Sequence, residues 1–138
     1  MTASPQLLLR CGRRLVAVPV AEAERVVEPG TVYPVPTLDP AVRGVIAVGG
    51  GFVPLVDVAV LLGQPPRAAF ELALLVRAGA GRLALAADEA VEVRAIAAQE
   101  LGEFRGAAWA ARVVEVDGAR VPVLDPTRLG AALRGTAA

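Results

Sequence analysis

Val53-Pro54-Leu55-Val56-Asp57 returns 68 residues later as Val121-Pro122-Val123-Leu124-Asp125. Each stretch keeps the alternation of a half-buried strand and ends on an Asp suited to cap a following helix. The match spreads outward at the same spacing. Val45-Ile46-Ala47-Val48 returns as Val113-Val114-Glu115-Val116, Gly50 as Gly118, Leu61 as Leu129, and Arg14-Leu15 as Arg82-Leu83. The repeat predicts a mainly β chain built from two pseudo-symmetric five-stranded β-barrel subdomains with short helices.

A chain of 138 residues suits one compact unit. A single domain is expected over residues 7–134. Subdomain 1 is expected over about 13–68, subdomain 2 over about 7–12 plus 69–126, and a C-terminal helix over 127–134.

Aliphatic runs bounded by Gly, Pro or Asp read as strands at Gln6–Cys11, Arg14–Val20, Thr31–Val35, Val45–Val48, Phe52–Val56, Glu71–Arg77, Arg82–Ala87, Arg112–Val116 and Arg120–Leu124. Cys11-Gly12-Arg13, Ala78-Gly79-Ala80-Gly81 and Asp117-Gly118 read as hairpin turns, the last most strongly. Three helical turns share one grammar, with Asp as cap, Pro tolerated first and Gly at the stop. Asp39-Pro40 opens a turn closed by Gly44, Asp57 opens Val58–Leu62 closed by Gly63, and Asp125-Pro126 opens Thr127–Leu133 closed by Gly135. A further short helix is expected near Ala21–Val27.

Composition removes most catalytic chemistries. The 14 basic and 14 acidic residues cancel, and they are scattered, so there is no electrostatic footprint for nucleic acid. The chain has no His and no Lys, so the commonest general base, the commonest metal ligand and the Schiff-base amine are absent. Cys11 is the single thiol and lacks a His to activate it, so it reads as a buried small apolar residue. Mean hydropathy is high at +0.56, yet charges, Pro or Gly interrupt every apolar run before the roughly 20 residues a spanning helix needs. Met1–Arg10 lacks a secretory pattern. The expectation is a cytoplasmic protein without direct membrane insertion, with no cofactor, no metal and no catalytic residue.

The remaining motifs have plainer readings than chemistry. Gly49-Gly50-Gly51 precedes a strand rather than a helix and lacks a Lys, so it reads as a turn and not a phosphate loop. Asp57 and Asp125 lie in equivalent places of separate subdomains, which favours capping over a paired-acid active site. Pro34-Val35-Pro36 reads as a rigid β-edge segment. Trp109 reads as packing, with a partner contact left open. A ligand-binding barrel, requiring a roomy apolar pocket with convergent polar groups, is a further class.

The stretch Val35-Pro36-Thr37-Leu38-Asp39-Pro40-Ala41-Val42-Arg43-Gly44-Val45-Ile46, then Phe52-Val53-Pro54-Leu55-Val56-Asp57 and Leu62-Gly63, resembles the CheW family. The second Val-Pro-Val-Leu-Asp matches the family too, so the resemblance runs from about Leu7 to Leu133, with Gly44–Asp57 its specific part. It implies two intertwined barrels and a function by binding alone. The implied partners are the regulatory domain of a CheA-type histidine kinase and the cytoplasmic tip of a chemoreceptor, the tip held in a hydrophobic groove between the barrels. A monomer is expected for the chain alone. The resemblance places partner contacts at Arg25, Val26, Gly44, Val48, Gly49 and Gly50, and leaves Asp39, Asp57 and Asp125 as structural caps.

Two departures stand out. Gly49 occupies the place where the family usually has Arg before Gly. Arg25 stands where Glu is usual, although a one-residue shift restores Glu24. An alternative reading follows: a divergent adaptor in another receptor–kinase or motility system with changed partners.

Overall fold

A computed structural model describes residues 3–37, 39–97, 99–100 and 108–136. The elements run β1 (Ser4–Cys11), β2 (Arg14–Pro19), a 3-10 turn (Val20–Glu22), β3 (Ala23–Val27), β4 (Val42–Val48), β5 (Gly51–Asp57), α1 (Val58–Leu61), β6 (Leu72–Ala78), β7 (Gly81–Ala87), β8 (Glu89–Ile96), β9 (Gln99–Glu100), β10 (Ala110–Val116), β11 (Ala119–Leu124) and α2 (Pro126–Thr136). The tightest turns follow from residue type. Gly49-Gly50 takes φ of 56° and 82°, and Asp117-Gly118 takes 50° and 83°. Positive φ at both central residues gives a hairpin turn whose twist matches that of the strands.

The strands form a six-stranded sheet, order β8-β1-β2-β11-β10-β9, and a five-stranded sheet, order β3-β6-β7-β5-β4. The fold is mainly β and pseudo-symmetric, as the repeat indicates, but the sheets are open rather than closed barrels. They also interleave the two halves of the chain. Replacing each strand of the five-stranded sheet by its repeat counterpart gives β8-β1-β2-β11-β10, which is the other sheet without β9. Each half thus lends its first hairpin to the other sheet and keeps the rest for its own: β3, β4 and β5 in the first half, β8, β10 and β11 with the short β9 in the second. The division at residues 12–13 and 68–69 therefore differs from the sheets, because β2 leaves the first part and β6 and β7 join it.

The equivalence is close in detail. The β4–β5 register shifts between Val42 and Gly44, and the β10–β11 register between Ala110 and Arg112, 68 residues on. In the lent hairpins the spacing is 67. The parallel pairs Leu55–Ala84 and Val123–Ala17 equate Ala17 with Ala84. Arg14-Leu15 is therefore one residue out of step with Arg82-Leu83.

Three apolar clusters hold this arrangement. Ile46, Val53, Leu55 and Leu75 pack inside the five-stranded sheet, and Leu8, Val114, Val121 and Val123 inside the other. The largest cluster, including Leu9, Val16, Leu74, Leu85, Leu124 and Leu129, lies where the two sheets meet. Truncating one of these fully buried Leu side chains to Ala costs about 2–5 kcal/mol.

Several expectations need correction. Ala23–Val27 is strand, not helix, because Arg25, Val26 and Val27 pair with Leu75, Leu74 and Ala73; tertiary pairing overrides local propensity. Thr31–Val35 supplies only one bridge, Tyr33 to Val45. Gly44 closes no turn, since it lies within β4. Strand β8 was not expected; it pairs along β1 as an outer strand. Helix α2 continues through Gly135 to Thr136.

Candidate functional site: an apolar cleft

The outer face of the β4–β5 hairpin carries Val45 and Pro54 as a cross-strand pair, and Ala47 and Phe52 as the next. Val42, Val45 and Pro54, with Leu83 of β7, floor a cleft of about 520 Å³. Val35-Pro36-Thr37 forms one rim, and Gly130 and Leu133 of α2 form another. Its walls are mostly hydrocarbon. Beyond it, Phe52 and Tyr33 meet edge to face at 5.8 Å and 87°. Phe52 is 67% exposed and Tyr33 48%, an unusual investment of aromatic surface for a chain with 4% aromatic residues.

The pseudo-symmetry provides an internal control. Val45 and Pro54 are half-buried, whereas their counterparts Val113 and Pro122 are buried. Identical residue types are buried in one half and only half-buried in the other. The opening is therefore not a packing requirement of the strand pattern.

The residues singled out from sequence scatter around this cleft. Arg25 and Val26 are exposed on β3, at the opposite edge of the five-stranded sheet from β4. Glu24 is committed internally, 3.3 Å from Arg82 and 3.9 Å from Arg77. Gly44 is buried, and a Cβ there would lie 2.3 Å from the Tyr33 carbonyl oxygen, so it is required for packing rather than for surface. Val48 is buried in the sheet interior. Gly49 and Gly50 are exposed at the hairpin tip, with open space around them. The cleft's own residues are not grouped by the sequence reading, although Val35, Pro36, Thr37, Val42, Val45 and Pro54 all stand in the stretches that carry the resemblance.

The three acids expected as caps each accept from backbone N–H groups. Asp57 is buried; its Oδ1 accepts from the Ala59 N–H at 3.1 Å and its Oδ2 from the Arg67 N–H at 3.1 Å. Asp125 Oδ1 accepts from the N–H groups of Thr127 and Arg128. Asp39 Oδ1 accepts from the Ala41 N–H at 2.9 Å.

A polar clamp sits at the β1–β2 turn. Asp88 accepts from the Gly12 N–H and from Arg67, both at 2.6 Å, and Gln64 donates to the Cys11 carbonyl at 2.8 Å. Beneath it the Cys11 thiol is pushed up to about 12, first by burial and then by the negative charges of Asp88 and Asp57. Such a thiol is no nucleophile at neutral pH. Among the described residues no three or more His, Cys, Asp or Glu gather as metal ligands, and no helix is long and apolar enough to cross a membrane.

The family model for the CheW-like domain matches residues 6–133. The chain belongs to the CheW-like domain family. A solved structure carries the same fold at low identity: the scaffolding protein TtCheW of Thermoanaerobacter tengcongensis matches with a TM-score of 0.75 at 15% identity, over 91% of this chain and 90% of that one. No curated protein sequence matches. Within the CheW-like frame, the strand exchange is the physical form of the intertwining implied by the resemblance. The Arg-to-Gly departure falls on an exposed turn with φ of 56°.

Proposed function

We propose that this CheW-like protein is a non-catalytic, cytoplasmic scaffold that couples chemoreceptors to a CheA-type histidine kinase. The observation that carries the reading is the one-sided apolar cleft. It is partly exposed at Val45 and Pro54 where the repeat is buried at Val113 and Pro122. A groove of this kind accepts the apolar face of an amphipathic helix, and the receptor tip is helical in this family. The kinase regulatory domain is the second partner in this reading.

Gly49 favours a second reading within the same class, an adaptor matched to partners that do not need the usual Arg. Binding of the purified chain to a receptor hairpin and to the kinase regulatory domain, both from its own genome, tests the proposal. Saturable binding to both, with Val35→Glu abolishing the receptor arm, supports it. Absence of binding to either partner contradicts it.

A further inference from the structure

Two hairpin turns that the repeat makes equivalent border clefts of opposite character. The β1–β2 turn carries Gly12 and the β6–β7 turn Gly79, with φ of 65° and 64°. Gly79, Ala80 and Leu133 of α2 line the apolar cleft. Gly12 and Arg13 instead line a separate polar basin of about 540 Å³, with Arg10, Gln64, Arg67, Glu71 and Asp88 in its walls. That volume is in the range of small-ligand sites.

Most of the basin is fixed from within. Asp88 accepts from the Gly12 N–H and from Arg67, and lies 3.7 Å from Arg10. Gln64 accepts from the Arg13 N–H and donates to the Cys11 carbonyl. The Arg67 N–H is held in turn by Asp57. Two charges are left over. Among the described residues, neither the Arg13 guanidinium nor the Glu71 carboxylate has a partner, although both line the basin. The other charges balance, Arg67 against Asp88 and Arg10 against Glu89 at 3.1 Å. The basin therefore presents one free cation and one free anion without net charge. A simple anion gains from Arg13 and loses to Glu71, and a simple cation does the reverse. A ligand that carries both charges gains from both.

We infer that the basin binds a small zwitterion of the amino-acid class, its carboxylate on Arg13 and the remaining donors of Arg67, its ammonium on Glu71. The bonded walls are ordered before the ligand arrives, which lowers the cost of binding. The site is distinct from the apolar cleft and does not rest on the receptor-binding reading.

The test titrates the full chain by calorimetry with each standard amino acid, and repeats the titration on Arg13→Ala and Glu71→Gln. At least one amino acid should bind with Kd of about 1 mM or tighter. Its analogue without the amino group and its analogue without the carboxylate should each bind about tenfold more weakly or worse. Arg13→Ala and Glu71→Gln should each weaken binding by about the same factor at unchanged melting temperature, since both side chains are exposed and unpaired. No binding by any amino acid at about 10 mM overturns the inference. Equal binding of the analogue without the amino group, or binding unaltered by Glu71→Gln, makes the basin a plain anion site and overturns the zwitterion. A clear fall in melting temperature for either variant assigns the charge to the fold and overturns it as well. Receptor and kinase binding, measured separately, stands or falls independently of these results.

Discussion

Asp57 and Asp125 hold equivalent stations in the two halves: the Asp57 N–H donates to the Ala41 carbonyl at 2.7 Å, and the Asp125 N–H to the Trp109 carbonyl at 2.8 Å. Each carboxylate then accepts from the N–H two residues on. Their surroundings differ. Asp57 is buried and also holds the Arg67 N–H, whereas Asp125 is partly exposed. Asp57→Ala is expected to cost about 2–4 kcal/mol, because buried donors lose their acceptor. Asp125→Ala is expected to cost about 1 kcal/mol. Urea denaturation of both variants measures the difference; equal losses would refute the asymmetry.

Gly44 makes a sharper stability prediction. Its φ is 142°, and a Cβ would press 2.3 Å from the Tyr33 carbonyl oxygen, which is itself held by the Val45 N–H at 2.8 Å. Gly44→Ala should therefore lose about 2–4 kcal/mol, from backbone strain and overpacking together. Gly30 has φ of 63° and open space, so Gly30→Ala should lose only about 1 kcal/mol. Chemical denaturation of the pair separates the close approach from conformational freedom.

Gly49→Arg restores the residue usual in the family at an open, exposed turn. Its φ of 56° is strained for a side chain, although Asp117 adopts φ of 50° at the matching place. The variant should lose about 1 kcal/mol. Enhanced binding to partners taken from a standard receptor–kinase pair would make the missing Arg a lost contact. A higher melting temperature with binding unchanged would contradict that reading.

Much of this architecture is legible in the sequence, for identifiable reasons. Asp117-Gly118 and Gly49-Gly50 carry turn chemistry that few other conformations use, so the hairpins and the repeat can be read directly. Ala23–Val27 cannot, because its residues suit a helix and only pairing with β6 makes them a strand. The exchange of hairpins is invisible in a repeat, which fixes what each half looks like and not with whom it pairs. The cleft is hidden for the same reason. Pro54 and Pro122 sit in near-identical strings, and their burial depends on what folds over them.

Cys11 links the core to pH. Its thiol ionises near 9.0 when free and only near 12 in the folded protein. Between these values the unfolded chain releases a proton that the folded chain keeps, so stability falls as pH rises through that window. The thiol is also only 1% exposed. Its modification by a thiol reagent at pH 8 should follow the rate of unfolding, and Cys11→Ala should flatten the alkaline slope. Rapid labelling of the native protein would contradict the buried assignment.

The most direct test of the scaffold reading is kinase activity in a reconstituted mixture of receptor, kinase and this chain. Kinase phosphorylation should become receptor-dependent only when the chain is present, and Val35→Glu should abolish that dependence while folding remains intact. Receptor control that is equally strong without the chain, or unaltered by Val35→Glu, would contradict the account.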